Sequence, residues 1–388
     1  PKKSDLLIYD ACGEKYLLDI LSSWKPITLH VNGESINMPI LFSSLFSNLF
    51  ARRKMSSAYI DCYIRSVQPK IIITFIDNST NFYLLSKRHS GIKTIFLQNG
   101  WRGYYGDCFE LLHNMEPNVR EKMQVDYMMT FGTHTGELFS KYLQGKILPC
   151  GSIKNNNMVK EIGTQKNLIV FISQWYKDSF VMDDRLYTHW EFFGQADQPI
   201  LTWVNEYARA NNKKLVIVPR VFADKDLRPL EQAYYENILG DDAEFLDLEA
   251  KYPAYQAIDM ADVVITVDST LGYESIARGN KTAFFSIRSS LLNIPGLTCG
   301  WPNGLPDEGL FWSNYLNTYN FTRIFDYLFS VSYEEWKEDI NKAGFASLMQ
   351  YDPGNKTLNA ILEKELGYSS CFEPYQFQPG LPDKSRVN

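Results

Sequence analysis

No Cys-x-x-Cys pair, no two histidines at metal-ligand spacing and no Gly-x-Gly-x-x-Gly occur in this chain. Six scattered cysteines (Cys12, Cys62, Cys108, Cys150, Cys299, Cys371) argue against a dithiol or a zinc ribbon and suit a reduced protein. Five scattered histidines offer no zinc site. The missing glycine fingerprint counts against a dinucleotide enzyme. Ser269 is not set in Gly-x-Ser-x-Gly, so a hydrolase elbow is unsupported. Asp224-Lys-Asp226 has the spacing of a metal pair but sits in a charged loop, and we expect neither metal nor other cofactor. No apolar run of about 18 residues appears, and Leu6-Leu-Ile8 is too short for a signal peptide, so the expected location is cytoplasmic. Positive charge is also scarce. A formal net charge of −6 and a pI near 5.5 argue against a nucleic-acid partner.

What the chain has is aromatic and aliphatic bulk. With 24 Tyr, 24 Phe and 8 Trp in 388 residues, it suits two ordinary globular domains. Strand-like runs alternate with helical segments at 27–31, 70–77, 93–98, 127–131 and 146–151, then at 167–173, 214–219, 243–248, 262–267 and 281–287. Such alternation predicts an α/β fold with two Rossmann-like parallel-sheet domains facing a cleft. The expected division is a first domain over 1–151 and a polar linker over 152–166. A second domain over 167–331 follows, then helices over 332–367 packing back across the junction and an extended tail over 368–388. Ser332 and Glu335 are spaced as a capping box.

Ligands of open parallel sheets bind beyond the strand C-termini, so the chemistry is sought in those loops. The β-branched run Val263–Val267 breaks into Asp268-Ser-Thr-Leu-Gly-Tyr-Glu-Ser-Ile-Ala-Arg278. Asp268, Ser269 and Thr270 can cap a helix whose free N–H groups attract an anion, and Gly272 would let a ligand approach the backbone. An ordinary capped helix is the plainer reading. Tyr273 belongs to the same stretch, Glu274 lies where a carboxylate can accept from a ribose, and Arg278 adds a cation. Ser173, Gln174 and Lys177 follow the 167–173 strand, and Arg220 follows the 214–219 strand, placing further polar and cationic groups near a phosphate. In the first domain, Gln98-Asn-Gly-Trp-Arg-Gly-Tyr-Tyr-Gly-Asp-Cys-Phe-Glu110 crowds five polar side chains into one glycine-rich loop. Arg102 can hold a carboxylate or phosphate. Asp107 or Glu110 can act as base or nucleophile, with Gln98 and Asn99 beside them. The aromatic loop Gly300–Trp312 either lines the cleft or packs.

Gln98-Asn-Gly-Trp-Arg, Val218-Pro-Arg220, the Asp268–Gly279 stretch and Gly300-Trp-Pro302 resemble bacterial surface-carbohydrate (lipopolysaccharide or capsule) biosynthesis proteins of the GT-B glycosyltransferase type. The resemblance covers roughly 70–350. It implies transfer of a sugar from a nucleotide-sugar donor, held by the second domain, to a glycan or glycolipid acceptor held by the first. It also implies peripheral contact with the inner membrane. Kdo transferases using CMP-Kdo are among such enzymes, and related sialyltransferases carry a His-Pro pair where this chain has Val218-Pro219-Arg220. Arg102, Arg220 and Arg278 favour an acidic sugar such as Kdo. The rivals are a sugar-nucleotide epimerase or glycerophosphotransferase of similar fold, and a solute-binding protein without catalysis.

Overall fold

The structure, a computed structural model, describes residues 1–33, 35–51, 54–160, 165–182, 184–222, 224–246, 251–294 and 296–369. Parts of the expected linker (161–164), of the 243–248 strand (247–248) and of the tail (370–388) lie outside the described residues.

The chain folds as two compact units. In the first, β1 (Leu6–Tyr9), β2 (Ile27–Leu29), β3 (Ile71–Thr74), β4 (Lys93–Leu97), β5 (Gln124–Thr130) and β6 (Gln144–Pro149) form a six-stranded sheet. The order is β2-β1-β3-β4-β5-β6, and every pair is parallel. Strands β1 and β3, Leu-Leu-Ile-Tyr and Ile-Ile-Ile-Thr, are buried along their whole length, as a sheet covered on both faces requires. Leu17, Ile20 and Leu21 of the Glu14–Leu21 helix pack on this sheet, as do Leu358, Leu362 and Leu366 of the Lys356–Leu366 helix.

In the second unit, β7 (Leu168–Ile172), β8 (Phe180–Met182), β9 (Arg185–Tyr187), β10 (Lys214–Val218), β11 (Val263–Thr266) and β12 (Thr282–Phe284) follow. Four of them form a parallel sheet in the order β10-β7-β11-β12, while β8 and β9 make a separate antiparallel hairpin. Single parallel bridges, Ile217 with Phe245 and Phe284 with Trp312, extend the sheet edges. The chain leaves β7 for β10 on one side and returns to β11 on the other, so the connections diverge at the ends of β7 and β11.

The units are drawn differently from the expected domains. Trp101–Glu110 clusters with the second unit, and residues 350–369 rejoin the first. The Tyr333–Lys342 helix, with the capping box of Ser332 and Glu335 in place, therefore belongs to one unit and the Lys356–Leu366 helix to the other. Asn155, Asn156 and Asn157, read as the start of a polar linker, are buried. Asn156 Nδ2 donates to Cys150 O at 2.7 Å and to Asn355 Oδ1 at 3.2 Å, and Asn355 Nδ2 donates to Ile153 O at 3.1 Å. Asn156 and Asn355 thus find partners for their amides within the protein.

Candidate functional site

Four β-branched residues, Val263 to Thr266, build β11, and Ser269 then caps the Thr270–Ala277 helix. Ser269 Oγ accepts from the Leu271 N–H at 3.3 Å, and the Ser269 N–H donates to Thr266 Oγ1 at 3.0 Å. A Cβ at Gly272 would meet Thr266 Cγ2 at 2.4 Å and Phe284 Cε1 at 3.2 Å. The glycine therefore lets the helix lie close on β11 and β12, where the sequence suggested an approach path for a ligand.

Strand β7 ends beside this helix start. Gln174 Oε1 accepts the Asp268 N–H at 3.2 Å. Ser173 Oγ donates to the Glu231 carboxylate and accepts from Tyr235 Oη at 2.8 Å. Glu231, fully buried, also accepts the N–H groups of Arg220 (2.8 Å) and Val221 (2.9 Å). One carboxylate thus ties the exit of β7 to the exit of β10. Arg220 Nη1 donates to Trp175 O at 3.0 Å, and its guanidinium lies over the Tyr176 ring at 4.7 Å. Arg220, Tyr176 and Lys177 are all exposed.

Asp268 is held from below by Arg288, whose Nη1 lies 2.7 Å from Oδ1. Arg288 is buried over the Phe192 and Phe193 rings, at 5.3 and 4.7 Å, and its Nε and Nη2 have no partner. Burial works against its charged form, but Asp268 and then Asp197 outweigh that and raise its pKa. Asp197 is fully buried, accepts from Tyr234 Oη at 3.0 Å and leaves Oδ1 unpartnered. Burial pushes its carboxyl up to about 6. His189, stacked on Phe193 and edge-on to Tyr234, is held down to about 4 by burial and then by Arg288. Burial, reinforced by Asp268, pushes the Cys299 thiol up to about 12.

The remaining expected donor residues point elsewhere. Tyr273 is buried, donates to Gly300 O at 2.9 Å and stacks on Trp101 at 4.2 Å. Both Glu274 oxygens accept from Tyr255 Oη at 3.1 Å, so a carboxylate expected to meet a ribose is spent inside the unit. The Arg278 side chain is 0% exposed and paired with Asp259, its Nε lying 2.8 Å from Oδ1. It is a buried structural ion pair where the sequence suggested a cation facing ligand.

Thr270 Oγ1 accepts the Trp101 N–H at 3.3 Å, which seats the glycine-rich loop on the helix start. Asp107 folds back on its own loop, taking the Gly103 N–H at 2.8 Å, the Cys108 N–H at 2.7 Å and Arg102 Nη1 at 3.4 Å. Glu110 accepts the Gly106 N–H at 2.6 Å. Both carboxylates are engaged in shaping the turn. Gln98 is buried in the first unit, accepting the Phe131 N–H at 2.8 Å and donating to Gly100 O at 2.9 Å, and Asn99 is half-buried beside it. The 300–312 loop packs: Trp301, Phe311 and Trp312 cluster with Phe284 and Phe345. The structure therefore gathers Ser173, Gln174, Arg220, Asp268, Ser269 and Thr270 in the second unit. It adds Glu231, Asp197 and Arg288, which sequence reasoning missed. No group of three or more metal-type side chains occurs among the described residues.

Two Rossmann-like parallel sheets make this an α/β protein of the GT-B type. A family model described as "putative O-antigen biosynthesis protein" matches residues 95–366, and the chain belongs to that family. No curated protein sequence matches it significantly. Among solved structures it is similar to a UDP-GlcNAc 2-epimerase from Neisseria meningitidis bound to UDP-GlcNAc, with a TM-score of 0.50 at 10% identity. That match covers 94% of this chain and 100% of the other. It is also similar to the wall teichoic acid polymerase TagF, with a TM-score of 0.51 at 12% identity, covering 94% of this chain and 89% of the other. At such identities the likeness establishes the fold. No helix among the described residues is long and apolar enough to cross a membrane.

Proposed function

We propose that the second unit binds a nucleotide-activated donor where the connections of β7 and β11 diverge, and that the chain transfers the activated sugar to a bacterial surface glycan. The observation that carries this is the Ser269–Thr270 helix start at the ends of β7 and β11, with the exposed Tyr176 on the β7 exit under the exposed Arg220 on the β10 exit. The positive end of a helix dipole and a guanidinium suit a phosphate, and an exposed tyrosine ring suits a base. The family description supports O-antigen assembly as the setting. The relatives of like fold carry UDP-GlcNAc in one case and were soaked with CDPG in another. Leaving-group charge is met by Arg220 and the helix amides without a metal ion, so activity should survive EDTA. The acceptor glycan or glycolipid is assigned to the first unit.

CMP-Kdo is one donor to test. Of the three arginines invoked for an acidic sugar, Arg278 is engaged by Asp259 and Arg102 by Asp107, which leaves Arg220. The epimerase likeness favours a second reading, in which the chain converts a sugar nucleotide with no acceptor.

Thermal unfolding with CMP, CDP, UDP and GDP tests the donor site. A nucleotide at 100 times its dissociation constant stabilises the native state by about 2.7 kcal/mol. One nucleotide should raise the melting temperature, and Arg220→Ala should abolish that rise. Product analysis with the matching donor, with and without a surface glycan, then separates transfer from epimerisation. If none of the four nucleotides shifts the transition, the donor-site assignment is wrong.

A further inference from the structure

The Met55–Val67 helix of the first unit buries Ile60, Ile64 and Val67, spaced i, i+4 and i+7. A second stripe of the helix is polar. Lys54, Ser57, Asp61 and Arg65 recur at i, i+3, i+7 and i+11, beginning at the residue before the helix. Together with Arg88 and His89, at the end of the Leu85–Arg88 helix, they line a pocket of about 560 Å³. Its walls come from the segments that lead into β3 and β4. The pocket is therefore separate from the loops that follow the strands, where ligands of parallel sheets are sought.

Asp61 is the one carboxylate among the lining residues. Its side chain is 6% exposed and lies 3.2 Å from Arg88 Nε and 2.9 Å from His89 Nε2. That contact anchors Arg88 and leaves its Nη1 and Nη2 without a partner among the described residues. Arg65 reaches back along the helix to Cys62, its Nη2 lying 3.1 Å from Sγ. Neither Arg65 nor Lys54 pairs with a carboxylate among the described residues. With His89 neutral, three cations against one carboxylate leave an excess of two positive charges, in a chain whose net charge is −6. Like charges gathered in one concavity repel, and a bound anion relieves that repulsion.

We propose that this pocket binds a soluble sugar phosphate, with the phosphoryl group held by Arg65 and Arg88 and its charge completed by Lys54. A phosphate monoester carries about two negative charges at neutral pH, which matches the excess, whereas a carboxylate matches half of it. The guanidinium forks offer it paired N–H donors. The volume falls among those of small-molecule sites, roughly 300–1,000 Å³, so room remains beyond the phosphoryl group. Apart from the His89 imidazole the lining has no ring on which a nucleobase could stack, and Ser57 offers a hydroxyl. A hydroxylated group such as a sugar fits that space better than a base. The site belongs to the first unit alone, so it stands whether or not the second unit binds a nucleotide.

Isothermal titration of the full purified chain with glucose 6-phosphate, ribose 5-phosphate, inorganic phosphate and glucose tests it. At least one sugar phosphate should bind saturably and more tightly than inorganic phosphate, glucose should not bind, and the affinity should fall as salt is raised. Lys54→Ala with Arg65→Ala should weaken binding about tenfold or more while the unliganded thermal transition stays in place, because both side chains are exposed. Arg88→Lys keeps a cation beside Asp61 but removes the fork, and it should weaken binding to a similar degree. Arg220→Ala should leave it unchanged, which separates this pocket from the nucleotide site. Absence of binding by every phosphate probe overturns the proposal, and so does binding that survives the Lys54 and Arg65 changes. Inorganic phosphate that binds as tightly as both sugar phosphates overturns the assignment to a sugar phosphate.

Discussion

Arg288 and Asp268 meet 2.7 Å apart at the foot of the Thr270–Ala277 helix, with side chains only 4% and 5% exposed. The pair fixes the residue that leads into the helix start, and it does so from the start of the Arg288–Leu292 helix, 20 residues further along the chain. Removing one partner strands the other as a buried charge, which costs about 3–5 kcal/mol. Urea denaturation of Arg288→Met should show a loss of that size. The double variant Arg288→Met/Asp268→Leu should recover a large part of it, because no lone charge remains.

Glu231 should be as important for the site as any residue that faces solvent. Its fully buried carboxylate accepts from Ser173 Oγ and from the Arg220 and Val221 amides. Glu231→Ala leaves two amides and a hydroxyl short of a partner, at about 1–3 kcal/mol for each group that stays buried. A lowered melting temperature is expected. Nucleotide titration of the folded variant should show weaker binding, since the Arg220 backbone loses its anchor.

The fold was legible where pattern and burial coincide. The Val263–Thr266 run could be read because β-branched residues fill a strand covered on both faces, and Ser269 could be read because a cap must follow it. Strand β1 is less legible, because Leu6–Tyr9 is four residues long and reads as well as a short apolar start to the chain. The β8–β9 hairpin turns at Asp184, with φ of 56°, without the Asn-Gly or Asp-Gly signal that marks such turns. The site was less legible because partners lie far apart in sequence. Nothing local separates Arg278, which is sealed against Asp259, from Arg288, which holds Asp268. Glu231 sits in the first turn of its helix, where a glutamate is ordinarily a solvated complement to the dipole.

Asp197 and His189 should oppose each other in the pH dependence of stability. The His189 imidazole falls from 6.5 to about 4 on folding, so the unfolded chain binds the extra proton between those values. Stability from this group is therefore lost as pH drops through that window. The Asp197 carboxyl rises from 3.8 to about 6, so the folded chain binds the extra proton and gains stability as pH drops from 6 to 4. Asp197→Asn removes the compensating half. Denaturant midpoints measured from pH 7 to pH 4 should fall more steeply in the variant than in the unaltered chain. Parallel curves would show that Asp197 titrates normally.

Gly272→Ala sets two effects of opposite sign against each other. Alanine favours a helix interior by about 1 kcal/mol over glycine. Its Cβ, however, would come within 2.4 Å of Thr266 Cγ2, on a strand buried between β7 and β12 that cannot retreat. Overpacking of that kind costs about 1–3 kcal/mol, so the net effect should be destabilising. It should also push the helix start off β11 and weaken nucleotide binding. Thr266→Ser takes away the clashing methyl while keeping the oxygen that accepts the Ser269 N–H at 3.0 Å. The double variant Gly272→Ala/Thr266→Ser should therefore recover most of both losses. A Gly272→Ala protein as stable as the parent would mean that the helix has room to move outward, and that the close packing on β11 is not what holds the Ser269 cap in place.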